Sequence, residues 1–479
     1  MPPRPTPIRT RSGYHGGVYD APGADPVTFL AALEGEPRGF WGRGERWVAW
    51  GGALARVEVT PGLRGSRFDA VRSEASRIFR RIYTDWASLP FRERPRFFGG
   101  FSFRDASGGE PTWSGFPPAG FILPRVLLEA RGGEVRLRVA GITPWGTAGS
   151  DPETERLAGC VLDALAAPGP PPTARDPEIA TPDRPHPSAS APSEGEGGGA
   201  EAESERSHWD AAVEAVLGEV GDGTVQKAVL ARVLDTEFSR PVDPLASLGF
   251  LRAENPRAHV YLFQPHAGNT FLGAAPEVLA ELRRSRFRAT AVAGSIPRGE
   301  SDDEDHELAL ALLGSEKDRI EHRVTADAMA AALDGRLSEM RVEEDPRVLA
   351  LARIQHLESG ITGRPSAGED ILSLVEALHP TPAVCGSPRG AAHALIRAAE
   401  PFDRGWYAGP VGWFDLAGEG DFVPALRAAV GTGRRWRLFA GAGIVEGSCP
   451  DAEWAETLLK FESAMRALGA GAAERAGIA

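Results

Sequence analysis

The chain has 479 residues, a formal net charge of −13, 42% hydrophobic and 25% charged residues, a balance typical of a soluble globular protein with a sizeable core. That acidity excludes a general nucleic-acid binder, which needs a basic face, and no run approaches the roughly 18 uninterrupted apolar residues of a membrane helix. Cys160, Cys385 and Cys449 are dispersed without metal-site spacing, and no apolar run follows the charged first ten residues, so a reduced cytoplasmic setting without a signal peptide is expected.

Residues 1–25, rich in Pro, Arg and Gly, read as a poorly ordered N-terminus. A globular pattern covers residues 26–167. There, residues 46–59 look like a hairpin, residues 68–89 have the apolar spacing of a helix, and runs starting at Pro95, Gly120 and Val135 alternate like antiparallel strands. Gly99 and Gly100, set between phenylalanines, mark either a bulge or a strand that packs closely. Residues 168–207 are dominated by Pro, Gly, Ser, Ala and Glu and read as a disordered insertion or linker. In residues 208–470 an amphipathic helix (209–220) leads to a strand containing Lys227, and strands from His259 and Thr270 run into Ala274-Ala-Pro-Glu277. A further strand ends near Gly294, one long helix is expected over 303–333, and strands return over 422–430 and from Trp436. Runs of strands with helices between them, without strict β-α alternation, predict an α+β fold.

Several residues offer chemistry. From Gly441 to Lys460 the sequence reads as a strand end, a glycine-rich turn and a helix start, with Pro450 in the first turn. Gly441 and Gly443 would let backbone N–H groups approach an anion, while Glu453, Glu456 and Lys460 share a helical face. A capped surface helix with an ordinary Glu-to-Lys pair fits the same residues. Lys227 alternates onto the face of Val225, Val229 and Ala231, either losing hydration and becoming a general base or snorkelling from an edge strand. Glu277, after a proline in a small-residue turn, is a general acid if burial keeps it protonated and a solvated loop residue otherwise. Asp318 and Glu321 are three apart on one helix, as Glu453 and Glu456 are on another. Two such acid pairs can hold one hard cation such as Mg²⁺ through oxygens and water. Arg427, placed in a strand, could grip a carboxylate bidentately, with Tyr407 and His356 adding hydrogen bonds.

Taken together, Lys227-Ala-Val-Leu-Ala-Arg, Gly273-Ala-Ala-Pro-Glu, Ala293-Gly-Ser-Ile-Pro-Arg-Gly, Glu316-Lys-Asp-Arg-Ile-Glu-His, Leu378-His-Pro-Thr-Pro-Ala-Val, Tyr407-Ala-Gly-Pro-Val-Gly-Trp and Gly441-Ala-Gly-Ile-Val resemble the chorismate-utilising enzymes, and within them the isochorismate synthases. The resemblance spans roughly residues 209–468 and implies large, mainly antiparallel β-sheets packed together with helices on the outside, residues 26–167 being the N-terminal part of the same fold. It implies chorismate as substrate, Mg²⁺ as cofactor, a product for menaquinone or siderophore synthesis, and a monomer with no obligatory protein partner. It also implies Glu321 and Glu456 as direct metal ligands, with Asp318 and Glu453 acting through water. Arg427, Tyr407 and the N–H groups near Gly441 and Gly443 would hold the enolpyruvyl carboxylate, with Lys460 beside the metal. Lys227 would be the base for water attack at C2 and Glu277 the acid for the C4 hydroxyl. Aminating relatives typically carry Gln at the position of Lys227, and salicylate-forming relatives tend toward Thr at that of Ala383, so isochorismate is the expected product. Ala275 and Cys449 depart from the Ser and Asp common in the family, and Pro424 implies an edge or bulge in its strand.

Overall fold

The computed structural model describes residues 6–9, 14–62, 64–82, 94–105, 109–142, 151–166 and 198–469. The strand Ala119–Arg131 uses both its edges: one pairs with Arg46–Val59, the other with Arg96–Phe101 and then Glu134–Ile142. From Arg46–Val59 one arm continues through Arg38–Arg43, His259–Gln264, Thr270–Ala275, Ala428–Thr432, Arg435–Ile444 and Lys227–Glu237. From Arg96–Phe101 the other continues through Pro410–Asp415, Gly420–Pro424, Ala280–Arg283, Arg286–Pro297 and Ile354–Pro365. All these pairings are antiparallel and join fifteen of the twenty strands that form one sheet among the described residues.

The two arms face each other. Trp50, Tyr261, Phe271 and Phe439 of the first meet Phe98, Val411 and Trp413 of the second in one buried apolar cluster. Because side chains alternate along a strand, Trp413 enters this inner cluster and Phe414 the outer one. Helices Arg67–Ile82, Glu316–Leu333 and Ile371–Leu378 cover the outer face of the second arm. Pro26–Ala31, Pro152–Ala166, Pro244–Glu254 and Pro450–Ala467 cover that of the first. Helix, sheet, sheet and helix form the layers, and this is the α+β architecture expected from the sequence.

Several local expectations give way. Arg46–Val59 is one long strand, not a hairpin; Gly52, at φ 66°, and a register shift between Ala53 and Ala55 bend it without reversing it. Within the N-terminal 25 residues, Thr6–Arg9 and Tyr14–Asp20 are strands, the latter zipped to Glu134–Ile142. The expected insertion is shortened at its end, because a helix spans Gly198–Gly221; residues 167–197 lie outside the described part, as do residues 83–89 of the expected helix. The single long helix is two, Asp302–Gly314 and Glu316–Leu333, since the Ser315 hydroxyl accepts the Asp318 N–H and caps a new start. Pro424 is the last residue of its strand, so residues 422–430 make two strands with Arg427 in the connection between them.

Gly99 pairs with Phe121 and Gly412 without any register shift, so it marks close packing and not a bulge. A Cβ there would lie 1.9 Å from the Gly120 carbonyl oxygen. Gly99→Ala is therefore expected to cost about 1–3 kcal/mol, seen as a lower urea midpoint at unchanged slope.

Candidate active site

Lys227 opens the strand Lys227–Glu237, which is paired on both sides, by Gly386–Ser387 and by Arg435–Ile444. An interior strand offers no route to water, so the snorkelling alternative is closed: the side chain is 0% exposed. Its Nζ instead meets Glu321 Oε1 at 2.9 Å and donates to Thr325 Oγ1 at 3.3 Å. Glu321 and Thr325 are one turn apart on Glu316–Leu333, which lies across the strand Arg286–Pro297. The pair fits because Gly443 has no side chain; a Cβ there would sit 2.2 Å from Glu321 Oε1 and 2.9 Å from Lys227 Cε. The other carboxylate oxygen of Glu321 accepts the Gly294 N–H at 3.2 Å. Burial favours the neutral acid, but the ammonium of Lys227 and those of Lys460 and Lys317 outweigh it and hold Glu321 below its usual range.

Gly294 is at φ 75°, in a bulge where the pairing of Arg286–Pro297 with Ile354–Pro365 shifts register. The bulge turns successive N–H groups toward the helix: Ser295 N donates to Asp318 Oδ1 at 3.3 Å. Ser315 Oγ donates to the other Asp318 oxygen. Lys317, the residue before Asp318, reaches the neighbouring helix and pairs with Glu453 Oε1 at 2.5 Å. Lys460 pairs with Glu456 one turn away and donates to Gly441 O at 2.8 Å. Burial raises both Asp318 and Glu453, helped by the charges of Glu321 and Glu456 respectively.

Glu277 follows the strand Thr270–Ala275 through Pro276 and is 1% exposed, with Oε1 lacking a hydrogen-bond partner. Desolvation pushes its carboxyl up to about 8, against the opposing charge of Lys227, so it is a carboxylic acid at neutral pH and not a solvated loop residue. Ala275 is fully buried in the inner apolar cluster. Tyr407 stacks on Phe439 with ring centroids 4.8 Å apart, and burial raises its phenol to about 12.

Arg427 is not in a strand; it lies at φ 50° in the connection after Pro424, and loss of hydration lowers its guanidinium to about 10 against the field of Glu456. Gly441 and Gly443 belong to the strand Arg435–Ile444 and not to the turn, which spans residues 445–449. Opposite them, Ala231 N donates to Glu400 and Val229 N to Cys385 O, while Gly441 O accepts Lys460. These are pairs that do not exchange hydrogen bonds with the Lys227 strand, so both glycine N–H groups point away from it, to the cavity side. Pro450 takes the first turn of its helix as expected, and Cys449 at the N-cap makes no side-chain cap bond.

One cleft gathers Glu277, Glu321, His356, Ala383, Tyr407, Arg427, Gly441, Gly443, Glu456 and Lys460. Lys227 reaches it through Glu321. Asp318 and Glu453 stand behind the wall, Asp318 tied to it through Ser295 and Glu453 paired with Lys317. Sequence reasoning missed Thr325, Lys317 and Arg404. The i,i+4 spacing of Thr325 from Glu321 was a usable signal, whereas nothing local marks Arg404, whose guanidinium is buried with Glu400 and donates to the carbonyls of Val384 and Val229 at 2.8 Å each.

Residues 14–469 match the family model described as chorismate binding enzyme. The chain belongs to that family. It is 35% identical to the "Salicylate biosynthesis isochorismate synthase" of Pseudomonas aeruginosa over 93% of this chain and 88% of the relative. It is 32% identical to the "Isochorismate synthase MenF" of Bacillus subtilis over 78% of this chain and 75% of the relative. Among solved structures, the menaquinone-specific isochorismate synthase MenF of Escherichia coli superposes with a TM-score of 0.73 at 25% identity, covering 97% of this chain and 96% of that one.

For a family whose ligand is anionic, the fit of a divalent cation can be judged from the donors. Among the described residues no three His, Cys, Asp or Glu side chains form a ready-made ion cage. Magnesium, however, needs only one or two protein carboxylates when substrate and water complete its shell, and Glu321 and Glu456 both face the cleft. The hard-oxygen pair therefore fits Mg²⁺ bound together with a carboxylate substrate. Gly443→Ala should break the Lys227–Glu321 contact and lower kcat by at least about 10²-fold, with the far-UV circular dichroism spectrum retained.

Proposed function

We propose that this enzyme converts chorismate to isochorismate in a Mg²⁺-dependent reaction. The observation that carries the reading is a buried lysine and a buried, protonated glutamic acid serving one cleft: Lys227 and Glu277, close enough that the charge of one acts on the other. A bound Mg²⁺, held by Glu321 and Glu456 with Asp318 and Glu453 behind them, would neutralise the ring carboxylate and orient the ring. Arg427, Tyr407 and the N–H groups of Gly441 and Gly443 bind the enolpyruvyl carboxylate. Lys227 acts as the neutral amine: once it has given up the ammonium proton it holds against Glu321, it accepts a proton from the water that forms the new bond to C2. The ring double bonds shift, the C4–oxygen bond breaks, and Glu277 delivers its proton to the departing hydroxyl, which leaves as water. One water enters and one leaves, so the reaction is an isomerisation.

Lys227 separates this reading from amination, since ammonia needs no base. Ala383 lines the cleft without a hydroxyl, which supports release of isochorismate before pyruvate elimination. The names of the relatives carry both salicylate and menaquinone, and the product would serve one of these uses.

Incubating the protein with chorismate and MgCl₂ and separating products by chromatography should yield isochorismate. Salicylate with pyruvate, or an aminated product when ammonium is supplied, would overturn the assignment. Lys227→Ala should lose about 10²–10⁴ in turnover while calorimetric Mg²⁺ binding persists; loss of metal affinity would contradict the base role. Because Glu277 must be protonated to act and its carboxyl titrates at about 8, kcat/KM should fall as pH rises through that value. A rate that stays flat to pH 9.5 would remove Glu277 as the acid.

A further inference from the structure

Arg427 is held at two levels. Its left-handed backbone, at φ 50°, is rarely adopted by residues with a Cβ and persists only where the surroundings over-determine it. Tyr261 Oη donates to the neighbouring Leu426 O at 3.0 Å, and Gly273 packs so closely that a Cβ there would lie 2.8 Å from Arg427 O. The side chain has a separate anchor: Nη2 donates to His356 Nε2 at 2.9 Å.

An arginine can only donate, so His356 Nε2 is the bare nitrogen of the ring. His356 Nδ1 lies 3.0 Å from Gly294 O, which can only accept, so Nδ1 carries the proton. Ser295 Oγ, 3.1 Å from Nδ1, accepts the same proton's second contact. Both ring nitrogens are therefore committed, the imidazole is neutral in a single tautomer, and neither nitrogen is left to exchange a proton with a ligand. Loss of hydration and the positive charges of Arg427 and Lys460 keep it neutral. The bulge that supplies Gly294 O also sends the N–H groups of Gly294 and Ser295 to Glu321 and Asp318, so the arginine and the carboxylates hang from one backbone anchor.

We propose that His356 is a positioning residue, which as a fixed hydrogen-bond acceptor holds the Arg427 guanidinium in the pose that grips the substrate carboxylate, its tautomer being set by the Gly294 carbonyl. The proposal rests on the reading of Arg427 as the carboxylate-binding group.

Two measurements test it. Gln can place an acceptor near the Nε2 position, whereas Asn reaches only the Nδ1 position and Leu supplies neither. His356→Asn and His356→Leu should raise KM for chorismate roughly tenfold or more with kcat changed less than about threefold, and His356→Gln should restore most of KM. A collapse of kcat at unchanged KM, or a Gln variant as poor as the Leu variant, would overturn it. Independently, nitrogen NMR of the ¹⁵N-histidine-labelled wild-type protein at neutral pH, assigned by the signal missing in His356→Gln, should show protonated Nδ1 and bare Nε2. A protonated Nε2 would refute the acceptor role even where the Asn and Leu variants fail to fold. Wild-type protein that leaves chorismate unchanged would sink the functional reading instead, and the nitrogen spectrum would still decide the tautomer.

Discussion

The buried contact between Lys227 and Glu321 is the constraint on which the rest of the site depends. Taking two ions out of water costs several kcal/mol each, and their attraction offsets this only with good geometry and further hydrogen bonds. The structure supplies both: a 2.9 Å contact, the Thr325 hydroxyl on the ammonium and the Gly294 N–H on the carboxylate. Each supporting group comes from a different element, so strand, helix and bulge must assemble together. The arrangement also explains a glycine that no turn requires, since Gly443 lies within a strand and is small because the ion pair fills the space beside it.

The same logic sets the two carboxyl chemistries apart. Glu321 and Glu277 are both buried, yet one is paired directly with Lys227 and held as a carboxylate while the other feels that ammonium only at longer range and is held as an acid. Environment, not residue type, drives two glutamates of one cleft to opposite charge states. Placing Glu277 after Pro276, at the end of a strand in the first arm, keeps it off the helix that carries Glu321 and so prevents the two acids from sharing one lysine.

Most of the site could be read from the chain because its parts lie in short local patterns. Acids three apart on a helix, a lysine on an apolar strand face and a carboxyl after a proline need no tertiary information. What could not be read was which charges meet. Lys317 looks like one more member of a solvated run until its helix is seen beside Glu453, and Arg404 finds Glu400 and two carbonyls only in the folded core. Local patterns also misled where glycine or proline serves the sheet. Residues 46–59 read as a hairpin but form one continuous strand, bent near Gly52, and Gly441 and Gly443 read as an anion turn but lie in a strand. Pro424 did signal a break, and the alternation of apolar residues past it hid the connection where Arg427 sits. The break in the long helix did carry a local signal, since Gly314 and the capping Ser315 open a gap in its apolar residues between Leu313 and Ile320.

How a chain of net charge −13 can receive a dianion follows from the pairing. Lys460 is matched by Glu456 and Arg404 by Glu400, so these cations of the cleft wall carry their own counter-charges. Arg427 differs. Its hydrogen-bond partner, His356, is neutral, and among the described residues no carboxylate is in salt-bridge contact with it. A carboxylate arriving in the cleft therefore meets one guanidinium whose charge is uncompensated by a contact partner and whose hydration is already lost, which is where an incoming anion gains most. The backbone N–H groups of Gly441 and Gly443 add dipoles of the same sense without adding charge. One cation of the cleft is thus left without a carboxylate, while Lys460 and Arg404 beside it are balanced pair by pair.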